Sequence, residues 1–164
     1  MEFQLRQEDA KLVFLAVAYH LGRPGSELDP VTKLPVEKGL ADVARDLQPQ
    51  LRMAVSTISV NESQLKRLLS GMLGSISELK TYPMLNPRLD VDGSMRRSSV
   101  PGFDRTLLHL FPEIEEEVED SLDVAERMLM LKRRMDERIA EVGGIEDAPA
   151  EPSKERKGWW RFGR

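Results

Sequence analysis

Asn61-Glu62-Ser63-Gln64-Leu65-Lys66-Arg67-Leu68-Leu69-Ser70-Gly71-Met72-Leu73-Gly74-Ser75-Ile76-Ser77-Glu78-Leu79-Lys80 is the stretch that decides the fold. Leu65, Leu68, Leu69, Met72, Leu73, Ile76 and Leu79 recur at three- and four-residue steps, which lays a continuous apolar stripe along one helix. Asn61 is a good N-cap, and Gln64 three residues later completes a capping-box pattern, so the helix is predicted over 62–80. Gly71 and Gly74 interrupt the stripe. Each costs roughly 1 kcal/mol against alanine. Two small residues three apart are either merely tolerated or admit another helix at close range.

Upstream, residues 51–60 read two ways. Leu51, Val55 and Ile58 suit a helix, whereas the β-branched cluster Val55, Thr57, Ile58 and Val60 suits a short strand. The strand is preferred because Asn61 then opens its helix cleanly. A helix is expected over 36–48, with Leu40, Val43, Ala44 and Leu47 on one face and Pro49 as its interruption. Residues 23–35 hold three prolines and a glycine and form an ordered loop. The first helix, 8–21, has Asp9 in its first turn and Gly22 as its stop. Its centre, Leu12 to Ala18, is apolar nearly all round, so it should be central and buried.

Downstream, 81–102 is a long loop whose Asp90-Val91-Asp92-Gly93-Ser94 reads as a turn; its glycine comes too early for a calcium loop. Arg96-Arg97-Ser98-Ser99 has a basic-then-serine pattern that kinases accept, a match that chance often produces. A short helix follows over 103–111, with Leu107, Leu108 and Phe111 inward. Pro112 and an acidic run from Glu113 to Asp120 come next. A helix points such carboxylates outward, so they make a solvated helix start rather than a cation site. The last helix, 121–142, carries Val124, Met128, Leu131 and Met135 at four-three-four spacing. A homodimer seam would follow if that stripe exceeded what the domain can cover. The expected class is mainly α: a single compact domain of about five helices over 1–142, a short strand or hairpin near 51–60, and a disordered linker and tail over 143–164.

Composition excludes more than it identifies. Of 164 residues 32% are charged, and the net charge of -4 favours neither nucleic acid nor an anionic membrane. There is no cysteine, which removes disulfides, thiolate nucleophiles and sulfur-ligated metals and suits a reducing cytoplasm. The N-terminal residues are acidic where a secretory signal is basic, and the longest apolar run falls short of the ~20 residues that span a bilayer. No cofactor, metal or catalytic group is expected. His20 and His109 lie beside apolar residues without a motif partner, and ordinary packing or exposed histidine is the better reading for both.

The tail Lys154-Glu155-Arg156-Lys157-Gly158-Trp159-Trp160-Arg161-Phe162-Gly163-Arg164 resists that kind of reading. It holds both tryptophans, three of the nine aromatics and five basic residues among eleven. Trp159, Trp160 and Phe162 would be apolar anchors, with Arg156, Lys157, Arg161 and Arg164 as the electrostatic part. Such a segment suits an anionic membrane surface, from which a peripheral location would follow. It equally suits a groove on a protein partner. Stacking on single-stranded nucleic acid is the weakest reading, and folding back onto its own domain is the fourth. The expectation is a non-enzymatic interaction or accessory protein using its tail, helped by the 81–102 loop. The rival is a small enzyme in which His20, His109, Tyr19 and loop carboxylates converge only in the fold.

Overall fold

The computed structural model describes residues 1–143, and its first element is a strand, β1 (Glu2–Arg6), that runs directly into α1 (Gln7–Gly22). An ordered loop closed by a bridge between Leu28 and Pro35 leads to α2 (Leu40–Leu47), then to a 3₁₀ turn at Gln48–Gln50. Next come β2 (Val55–Ser59) and α3 (Glu62–Thr81). A second 3₁₀ turn, Tyr82–Met84, precedes a small ribbon, β3 (Arg88–Leu89) and β4 (Met95–Arg96). The described chain ends with α4 (Phe103–Leu110), α5 (Glu113–Glu116) and α6 (Asp120–Gly143). The protein is mainly α, with two short antiparallel sheets.

The helix at 62–81 begins as its sequence dictates. The Asn61 side chain accepts from the Gln64 backbone N–H at 2.8 Å, and the Gln64 carboxamide accepts from the Asn61 N–H at 2.9 Å. Leu65, Leu68, Met72, Ile76 and Leu79 of its apolar stripe are buried, Leu69 is half-buried and Leu73 faces solvent, and α1 and α6 pack against the helix. The approach of α1 depends on two glycines. A Cβ at Gly71 would lie 2.7 Å from the Ala16 carbonyl oxygen, and one at Gly74 would run into the Tyr19 ring. The pair at 71 and 74 is therefore a docking notch for α1 rather than a tolerated flaw.

Residues 51–60 contain a strand, but its partner is β1 and not a neighbouring hairpin arm. The register sets Phe3 opposite Ile58 and Leu5 opposite Ser56, and all four side chains are buried on one face. The second helix begins at Leu40 and not at 36. Val36 donates its N–H to the Glu27 carbonyl at 2.9 Å, which keeps it in the loop. The long loop at 81–102 likewise contains the ribbon, turned through Gly93 at φ 78°. Val124, Met128, Leu131 and Met135 are buried against the rest of the chain, so that stripe of α6 is used in the core. Met72 is buried with them, as core filling requires. Among the described residues no helix is long and apolar enough to cross a membrane.

Candidate functional site

The ribbon β3–β4 stands on one carboxylate. Asp104, in the first turn of α4, is buried, and its Oδ1 accepts the Tyr82 hydroxyl at 2.6 Å and the Arg97 N–H at 2.7 Å. Its Oδ2 accepts the Ser98 N–H at 3.1 Å. One acid thus ties the segments on both sides of the ribbon to α4. Burial, and then the bond and charge of Asp104, push the Tyr82 phenol well above the usual range for tyrosine. Arg97 donates to the Leu85 carbonyl at 2.8 Å, with its guanidinium carbon 6.0 Å from the centre of the Tyr82 ring. At the tip, Arg105 of α4 meets Asp92 at 3.1 Å.

Among the side chains this anchored ribbon presents to solvent, alongside Arg88, Asp92 and Ser94, are several large apolar ones. Leu89 and Met95 are opposite one another in the register, and they are 73% and 56% exposed. Val91 at the turn is fully exposed, and Met84 just before the ribbon is 76% exposed. Single exposed apolar side chains are ordinary; three on one hydrogen-bonded projection, with a fourth at its base, are not. Asp90 and Asp92 flank Val91, and each faces an arginine, Arg96 at 3.8 Å and Arg105 at 3.1 Å.

A second polar cluster forms where α1 ends. His20 is buried, and its Nε2 lies 2.9 Å from Glu27 Oε1. Arg67 of α3 lies 3.7 Å from the same oxygen and donates to the Ser26 carbonyl at 2.9 Å. A side chain at Gly39 would overlap the Glu27 carboxylate, so α2 also abuts this acid. Glu27 therefore joins α1, α2, α3 and the loop.

Of the residues that an enzyme would need to converge, the fold brings together His20 and a loop carboxylate. Tyr19 instead packs edge-on against Phe103 at 5.7 Å and beneath Arg23. His109 is exposed on α4 and has no hydrogen-bond partner among the described residues. Among those residues no group of three or more His, Asp or Glu side chains is placed to hold a metal. The tail residues Arg156, Lys157, Trp159, Trp160, Arg161, Phe162 and Arg164 lie outside the described residues.

Sequence reasoning marked the 81–102 segment by its length but not its apolar face. The alternation of Leu89, Val91 and Met95 around a Gly-containing turn was the available signal. Compared with known proteins, the chain matches no family profile, no curated protein and no solved structure. Its own geometry is what informs function.

Proposed function

We propose that this is a non-enzymatic interaction protein that docks to a protein partner through the ribbon at 88–96, with the basic-aromatic tail as a second contact. The observation that carries the reading is the anchored ribbon with exposed Leu89, Val91 and Met95. Covering a Leu, Val or Met side chain gains about 1.5–3 kcal/mol, and a preformed ribbon loses little entropy on docking. A groove on a protein suits this surface, because the ribbon is narrow and preformed and its apolar side chains alternate with charges already paired, Asp90 with Arg96 and Asp92 with Arg105.

The test is site-specific photo-crosslinking in cells from position 91, with position 45 on α2 as the control. A discrete protein adduct at 91 is expected, absent at 45, lost when Leu89, Val91 and Met95 are all replaced by serine, and weakened when residues 154–164 are removed. Adducts equal at both positions, or insensitive to the serine replacements, would overturn the reading. So would crosslinking to lipid together with a blue shift of tryptophan emission on anionic vesicles, since both tryptophans lie in the tail.

A further inference from the structure

The end of α1, the turn that follows it and the outer face of α3 enclose a cleft of about 380 Å³. Its lining includes His20, Arg23, Ser26, Lys66, Arg67 and Ser70, and no carboxylate. In a chain whose net charge is -4, three cationic side chains line this one concavity, two of which, Lys66 and Arg67, also face a carboxylate outside it. The cleft is built by the fold rather than by chance proximity. On α3, Ser70 stands four residues from Lys66 and three from Arg67, which places the serine between the two cations along the helix surface. The turn is fixed opposite them by Arg67, which donates to the Ser26 carbonyl. Gly25, at φ 75°, lets the turn bend there without a side chain.

Behind the cleft, the Glu27 carboxylate lies 3.7 Å from the Arg67 guanidinium and 2.9 Å from the His20 ring, between the two groups. Arg23 has no carboxylate partner among the described residues and rests on the Tyr19 ring, 5.9 Å from its centre. Lys66 pairs with Glu62 on the exposed side of α3. An exposed pair of this kind contributes little, so the ammonium can turn to a ligand at small expense.

We infer that this cleft binds the phosphate group of a small phosphate-bearing ligand. A tetrahedral, multiply charged oxyanion uses several cations at once and takes further hydrogen bonds from the Ser26 and Ser70 hydroxyls. A lone carboxylate is satisfied by one arginine. The phosphate can belong to a soluble ester or to a lipid headgroup, and the chemistry that recognises it is the same.

The experiment uses the full chain, labelled for amide NMR and titrated at fixed ionic strength with inorganic phosphate, with a short-chain soluble phosphatidic acid, and with acetate as the control. Saturable shifts confined to residues 20–27 and 66–70 are expected with phosphate, with the lipid, or with both, and the arm that responds names the source. Arg23→Gln and Lys66→Gln, both at exposed positions, should each weaken the response roughly tenfold. Arg45→Gln on α2 and the triple serine ribbon variant should leave it unchanged. No saturable local shift with either phosphate source would overturn the inference. So would equal shifts with acetate, or an unaltered response in both cleft variants.

Discussion

Replacing Gly71 by alanine should destabilise the protein even though alanine is the better helix former. The gain in helix propensity is about 1 kcal/mol. Against it, the new Cβ would sit 2.7 Å from the Ala16 carbonyl oxygen and 3.4 Å from the His20 Cβ. The first obstacle is backbone of a neighbouring helix, which cannot swing aside as a side chain can. Overpacking of a fitted interface costs about 1–3 kcal/mol, and a backbone obstacle belongs at the upper end. The net loss should be about 2 kcal/mol, or about 4–8 °C in Tm for a chain of this size. Urea unfolding followed by far-ultraviolet circular dichroism measures it without relying on the tail tryptophans. Ser70→Ala, one residue away on the exposed side, is the control and should be neutral or slightly stabilising. If Gly71→Ala is as stable as the parent, the glycine notch does not set the spacing of α1 and α3.

Two further outcomes follow from named hydrogen bonds. The Tyr82 phenol is held above its ordinary 10.0, so the folded state keeps a proton that the unfolded chain releases in alkali. This contribution is complete below that value and is lost above it, by up to about 1.4 kcal/mol per pH unit. Tyr82→Phe should therefore flatten the decline in urea midpoint between about pH 9 and about pH 11; parallel curves would contradict the linkage. Asn61→Ala removes the capping box of α3 and should cost about 1 kcal/mol in the same assay, whereas an unchanged midpoint would mean that the cap is redundant.

The parts of the fold that could be read from the chain are those governed by neighbours in sequence. The Asn61–Gln64 box and the α3 stripe are local, as is the four-three-four burial of α6. β1 was missed because a strand needs its partner to be recognised, and that partner lies at 55–59. Alternating burial of Phe3 and Leu5 was its only trace. The late start of α2 is equally non-local, since Glu27 reaches it through space. His20 is buried, and its partner Glu27 lies beyond a turn that no periodicity forecasts. Asp104 reads as an ordinary first-turn acid, and nothing in its neighbourhood signals Tyr82 as its donor.

The way Asp104 holds the ribbon also shapes how this chain can change over generations. Two of its three donors are main-chain N–H groups, at Arg97 and Ser98, which any residue except proline supplies. The third is a tyrosine outside the ribbon. Apart from Asp92, which meets Arg105, and Gly93 at the turn, the side chains at 88–96 can therefore be rewritten without touching the Asp104 mount. Under the proposed docking role, partner choice and folding stability would draw largely on different residues, so selection could retune the first while leaving the second alone. The ribbon is for the same reason a natural place to graft a foreign recognition sequence.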